Sequence, residues 1–373
     1  MKKENKNRLI VLLAVIVFNV AAWLSRDFSD WYTDHIFPLW GKTLGRVTSL
    51  APFSVGEWAI VAGLIWLALL LLRFIIALPA FFSGNRSRFT ALLGNMPGAT
   101  ADLLLSIAIV MSLNCFVLYH VSPLDPEAGT RVYSQAELAA LRDMIVTECN
   151  ARSILVDRDA DGNVIVTGDM GEKARAAVDA LGQRLLPRLA GYSVRPKTFF
   201  FSDFISQQYM MGYYLPFTME ANINGRMEIM NKPFCMCHEL AHTHGYLYED
   251  EANLIGFLAC LSSDDPAFVY SGYLGILSYV DNDFFDSAGE DEYWRHVEIT
   301  DLVRRDARFL SDESWEAVEE NALLDTEMVH QAADTFIDQN QKLNGISAGR
   351  AVYSHVVALL LSYYGGDAPY IKP

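Results

Sequence analysis

Hydrophobic positions fall into two regimes along this chain. Up to residue 121 they run in long, almost uncharged stretches, and beyond it they recur between polar residues at helix or strand spacing. A stretch of about 20 apolar residues crosses the hydrocarbon core of a bilayer. Three qualify: 8–24, 57–82, whose interior Arg73 can snorkel toward its end, and 102–121. Ser25-Arg26-Asp27 follows the first without a small-x-small cleavage site, so that span reads as a retained anchor. Residues 122–133, with Pro123, Pro126 and Gly129, read as a linker to a domain over 134–373.

Within that domain, Ser134-x-x-Glu137 is a capping box that opens a helix to Asn150. Residues 153–157 and 163–167 read as strands, and 171–190 as an amphipathic helix that Pro187 ends or kinks. Further strands are expected at 197–202 and 213–224, with a turn at Gly225-Arg226 and a return over 227–230. From 252 onward the pattern is mostly helical. The apolar stretch 351–364 is too short to span a bilayer and reads as a buried helix. The expected fold class is α+β, mainly helical, with three transmembrane helices before the domain and a small sheet inside it.

Charge sets the topology. Lys2, Lys3, Lys6 and Arg8 precede the first span, and Arg73, Arg86 and Arg88 lie around the turn between the second and third. The positive-inside rule places these on the cytoplasmic face, so the loop 25–56 and everything after 121 lie outside. Residues 1–121 hold ten basic and six acidic residues, a net +4; the whole chain carries −16, so the remainder carries −20. A domain this acidic is no candidate for nucleic-acid binding. The partners expected are the lipid bilayer and a protein or peptide substrate.

Two further patterns lead nowhere. Asp157-x-Asp159-x-Asp161-Gly162 matches the first half of a calcium loop, but position twelve is Gly168 rather than a bidentate glutamate, and an Asp-Gly hairpin turn explains it. Of the five cysteines, Cys115 lies in a span. Cys149, Cys235, Cys237 and Cys260 fall where a disulfide is allowed but not implied.

The chemistry concentrates in His238-Glu239-Leu240-Ala241-His242. On a helix, positions i and i+4 share a face, so both imidazoles can address one ion. Pro233 fits the first turn of such a helix and Gly245 its C-terminal stop. Two imidazoles suit Zn²⁺, one per chain, and Glu239 is placed as general base. A second helix over 246–260 carries Glu249 and Asn253 four apart on one face. Glu249 is the expected third ligand, with Glu251 as the alternative. Asn253 is expected to support a ligand histidine from behind.

Glu249-x-x-Ala252-Asn253 after H-E-x-x-H resembles the ligand helix of gluzincin peptidases, such as the CAAX-prenyl-protease and heat-shock membrane-protease families and the small peptidases that cleave phage-type repressors. The chain is more similar still to an uncharacterised bacterial domain-of-unknown-function family of membrane-anchored zincin-like proteins. The carrying motifs are Pro216-Phe217-Thr218-x-Glu220-Ala221-Asn222-Ile223-Asn224, Tyr270-Ser271-Gly272-Tyr273 and Tyr353-Ser354-x-Val356-Val357-x-Leu359-Leu360. The resemblance implies a zincin-like domain but no substrate. By analogy with zincins, residues 216–224 are expected to wall the cleft, with Pro216, Phe217, Thr218, Glu220 and Asn222 as substrate contacts. Arg350, Tyr353 and His355 are candidate oxyanion donors.

The expected activity is membrane-anchored, zinc-dependent peptide hydrolysis outside the cytoplasm. The alternative is a zinc-dependent peptide receptor without turnover. An intact Glu239 speaks for the first, because a pure binding site needs no base.

Overall fold

The computed structural model describes residues 3–343 and 355–369. Arg350 and Tyr353 lie outside the described residues. Numbering the principal elements only, α1 (Lys3–Leu24), α3 (Val55–Phe82) and α4 (Met96–Asn114, continued by a 3₁₀ turn to His120) are long and apolar enough to cross a membrane. They mark the chain as a membrane protein. Their apolar side chains are largely exposed, as lipid-facing residues must be. Polar contacts tie them together: Arg8 to Asp102 at 2.7 Å, Asn19 to Ser112 at 2.7 Å, and Trp66 to Thr100 at 3.0 Å. The third span starts six residues earlier than the pattern suggested, because Met96 and Pro97 open the helix.

The segment between α1 and α3 is not a free loop. Ser25 caps α2 (Arg26–His35), and short helical turns continue to Thr48. These pack onto the later domain. Thr48 donates to the Thr218 carbonyl at 3.0 Å, and Arg188 pairs with Asp34 at 2.8 Å. Tyr32, Phe37, Cys115, Leu118, Tyr214, Met219 and Leu247 share one buried apolar cluster, so the membrane helices and the domain have a common core.

The domain is mainly helical with a three-stranded sheet. Its helices are α5 (Gln135–Ser153), α6 (Met170–Arg184), α7 (Asn231–Thr243), α8 (Glu249–Leu261), α9 (Pro266–Ala288), α10 (Thr326–Leu343) and α11 (His355–Gly365). The capping box at Ser134 and Glu137 closes as expected. α8 is the centre of the main core: from Ala252 to Cys260 every residue is buried. The tetrad 270–273 serves packing. Ser271 accepts a hydrogen bond from the Phe234 amide at 3.0 Å, and Gly272 lets α9 approach Cys260 of α8.

In the sheet, β1 (Lys197–Thr198) runs parallel to β3 (Glu220–Ile223), and β2 (Gly212–Leu215) runs antiparallel to β3 on its other side. The hairpin turn falls at 216–219, not at Gly225-Arg226. Met219 takes a left-handed φ of 55°, and the Thr218 amide closes onto the Leu215 carbonyl at 3.1 Å. Residues 227–230 add no strand. β1 stops after two residues because Ser202 begins a short helix. Nor do 153–157 form a strand, since Ser153 still belongs to α5; a single bridge, Arg158 to Val164, remains. Asp159 accepts from the amides of Asp161 and Asn163, while Arg158 and Arg305 both donate to the Gly162 carbonyl. Two guanidiniums thus sit where a calcium loop would need free oxygen atoms.

Candidate metal centre

α7 is buried along nearly its whole length. It stops where the amide of Gly245 turns back to the His242 carbonyl at 3.0 Å and that of Tyr246 to the Ala241 carbonyl at 3.2 Å. Gly245 has φ +94°, and a Cβ there would stand 2.7 Å from the Thr33 side chain, so glycine is required on both counts. This turn feeds the chain into α8 with Glu249 as its first residue.

The turn also fixes a tautomer. His242 Nδ1 lies 2.7 Å from the Tyr246 carbonyl oxygen, which can only accept. Nδ1 therefore carries the proton, and the Nε2 lone pair points into the site. There it meets His238 Nε2 at 3.1 Å; Glu249 Oε2 lies 3.2 Å from His238 Nε2 and 3.8 Å from His242 Nε2. Ligands about 2.0–2.2 Å from a tetrahedral zinc stand roughly 3.3–3.5 Å apart, so a triangle of this size fits one ion. Among the described residues these three form a group able to hold a metal.

Electrostatics prepare the same atoms. Burial pushes His242 down to about 4, against the pull of Glu249, so it stays neutral. Burial would raise Glu249, but His242 and His238 overcome this and bring it to about 2. Burial pushes His238 down, but its hydrogen bond and charge interaction with Glu249 outweigh this and leave it above the ordinary imidazole value. Glu239, only 4% exposed, is lifted by burial to about 8. Its Oε2 has no hydrogen-bond partner among the described residues. A cation beside it would reverse part of that rise.

The three donors and Glu239 line a cleft of about 890 Å³. The family model described as "Protein of unknown function (DUF3810)" matches residues 32–361. The chain belongs to this family. No curated protein and no solved structure matches it.

The match to DUF3810 begins within α2 and so takes in most of the segment that packs onto the domain. In this DUF3810 protein the cleft wall differs from the expected one. Of residues 216–224, only Pro216 lines it. The wall is β2, whose Gly212, Tyr213 and Tyr214 face the cavity from the edge of the sheet. A Cβ at Gly212 would come within 2.6 Å of Glu239 Oε1 and 2.7 Å of the Asn222 carbonyl, so the missing side chain is what lets β2 lie against the general-base candidate.

The other candidates on that stretch do structural work. Phe217 packs with Phe199, Ile205 and Leu215. The Thr218 carbonyl holds Thr48, and Asn222 is fully buried in the central strand. Glu220 forms a buried ion pair with Lys197 and accepts from the amides of Val55 (3.0 Å) and Gly56 (2.6 Å) at the start of α3. Glu251 stands outside the group of His238, His242 and Glu249: its carboxylate accepts from the Leu124 amide at 2.6 Å. Residues two apart on a helix face different ways, which is the reason Glu249 and Glu251 part. His355 pairs with Asp250 at 3.3 Å and does not line the cleft.

Sequence reasoning missed Tyr213 and Tyr279. Both line the cleft; the Tyr279 hydroxyl lies 3.3 Å from Asn253 Nδ2, and burial with the Glu239 and Glu249 charges raises Tyr213 to about 12. No local motif marks either, because each arrives from a separate element. The five cysteines are free and buried. A second hollow of about 660 Å³, between residues 155–167 and 262–267, contains none of the candidate residues.

Proposed function

We propose that this protein is a membrane-anchored zinc metallopeptidase of zincin-like type, with His238, His242 and Glu249 as ligands and Glu239 as general base. The observation that carries the reading is the tautomer of His242. Its lone pair, His238 Nε2 and the Glu249 carboxylate converge beside a buried Glu239, whose Oε2 has no partner among the described residues, at the wall of a large cleft. When bound, one Zn²⁺ would supply Lewis acidity to water and to the scissile carbonyl. Glu239 would take the proton from the attacking water and pass it to the leaving amine. Asn253 would hold the His238 ring in register.

β2 supports a peptide as substrate. It is an edge strand with residues in the cleft, and an extended segment can pair with such an edge. The positive-inside reading puts the cleft outside the cytoplasm. Met111, Cys115 and Tyr119 at the end of α4 also line it, so the substrate would be met close to the bilayer. Secreted proteins, peptides and the exposed parts of membrane proteins fit that position.

The test is digestion of a peptide library by the full-length, zinc-loaded protein beside Glu239→Gln. Cleavage by the wild type that is lost in a variant still holding zinc supports the peptidase. Zinc binding with peptide capture but no cleavage by either protein would favour the receptor reading.

A further inference from the structure

The stretch Phe199-Phe200-Phe201-Ser202-Asp203-Phe204 lies some 140 residues after Glu57 in sequence, yet it is fastened through that residue to the first turn of α3. The Glu57 carboxylate accepts from the Phe200 and Phe201 amides, each at 2.8 Å. The rest of the backbone is equally fixed. The Phe199 amide donates to the Ile223 carbonyl at 3.0 Å, Ser202 Oγ donates to the Phe199 carbonyl at 2.7 Å, and the Gly225 amide donates to Ser202 Oγ at 2.9 Å.

On this rigid turn the side chains divide. Phe199 goes into the small core with Ile205 and Leu215. Phe200, Phe201 and Phe204 point outward, 70%, 41% and 47% exposed. A soluble surface does not hold three phenylalanines out on a well-bonded backbone without something to cover them. Their neighbour says what covers them. Trp58, on the first turns of the apolar helix α3, has its ring 5.6 Å from that of Phe200 and 6.0 Å from that of Phe201. Tryptophan at the head of a membrane helix marks the interface between lipid and water, and phenylalanines beside it are at the same depth.

We propose that the Phe199–Phe204 turn is a membrane seat: Phe200, Phe201 and Phe204 insert into the interfacial layer of the bilayer that α3 enters. Phe199 belongs to β1's extension against β3, so the seat bears directly on the sheet, and β2 forms the cleft wall in that same sheet. The seat holds the sheet at a set height and tilt above the membrane. The inference rests on the spans and not on the chemistry of the metal centre.

The experiment is spin labelling of full-length protein in phosphatidylcholine–phosphatidylglycerol proteoliposomes, with cysteine introduced singly at Phe200, Phe201 or Phe204. All five native cysteines are buried, so the label goes to the new thiol, and unsubstituted protein gives the background. Leu64→Cys, exposed on α3, is the lipid reference; Ile154→Cys, exposed at the end of α5, is the water reference. Relaxation by oxygen, which partitions into lipid, is compared with relaxation by a water-soluble nickel chelate. At Phe200 and Phe204 the oxygen-to-nickel ratio should lie several-fold above that of Ile154→Cys, toward that of Leu64→Cys. A ratio equal to the water reference overturns the proposal. So does protection from both reagents, which would mean that a protein, a second copy or another partner, covers the patch. The readout needs no activity, so failure of the peptidase reading leaves this result standing.

Discussion

The Nε2 atoms of His238 and His242 face each other at 3.1 Å, and the Tyr246 carbonyl obliges the second to present a lone pair. Two such nitrogens repel unless a proton or a cation sits between them. Full-length protein in detergent is therefore expected to hold one zinc per chain, measured by mass spectrometry of metals after gel filtration. His238→Ala, His242→Ala and Glu249→Ala should each lose it. Asn253→Ala should weaken binding by about 10–100-fold, as for partners that orient a ligand. A wild type that stays metal-free after zinc exposure would end the metal reading.

Glu251→Ala separates the two acids. It should keep zinc, because the carboxylate serves the Leu124 amide instead. It should cost about 1–3 kcal/mol of stability, as for a buried amide left unpaired. Metal analysis and thermal melting of the same sample check both parts; zinc lost with the fold intact would return Glu251 to the ligand set.

Glu239 gives a pH dependence. Burial raises its pKa to about 8, well above the value of about 4.3 in an unfolded chain. A group raised in the folded state contributes stability that is complete below its unfolded pKa and is lost as pH rises through the folded pKa. In chelator, the metal-free wild type should thus weaken relative to Glu239→Gln as pH goes from 5 to 8, by up to a few kcal/mol. Melting temperatures at pH 5, 6, 7 and 8 read this out, and a constant difference would contradict it. With zinc present, the same variant should lose about 10²–10⁴-fold in hydrolysis.

Gly212→Ala places a Cβ against Glu239 Oε1 and the Asn222 carbonyl. Overpacking at such a contact costs about 1–3 kcal/mol. The expected outcome is a lower melting temperature together with reduced hydrolysis, because β2 must draw back from the base it flanks.

The Lys197–Glu220 pair is buried at the junction of β1, β3 and the start of α3. Glu220→Ala strands a buried ammonium and should destabilise by about 3–5 kcal/mol. Lys197→Met combined with Glu220→Leu should be less harmful than Glu220→Ala alone. A fragment of residues 122–373 should aggregate, since it lacks Tyr32, Phe37, Cys115 and Leu118, which share a core with Tyr214, Met219 and Leu247. Denaturation of the full-length variants and light scattering of the fragment are the measurements.

What the sequence determined by itself was whatever depends on spacing along one element. Length and apolarity marked the three spans, Ser134 and Glu137 marked a helix start, and the four-residue step from His238 to His242 put two rings on one face. The two-residue step from Glu249 to Glu251 likewise contained their separation. Relations between elements were not legible there. Residues 213–224 read as one strand because nothing local announces that Met219 reverses the chain in the left-handed region. Glu220 looked like a cleft residue because its partners, Lys197 and the amides of α3, lie 23 and about 165 residues away. Tyr213, Tyr279 and Gly212 acquire a role only when β2, α7 and α9 close around one cavity. Local periodicity sets what a segment can become, but burial and hydrogen-bond pairing across the chain decide which polar groups face the site and which hold the fold.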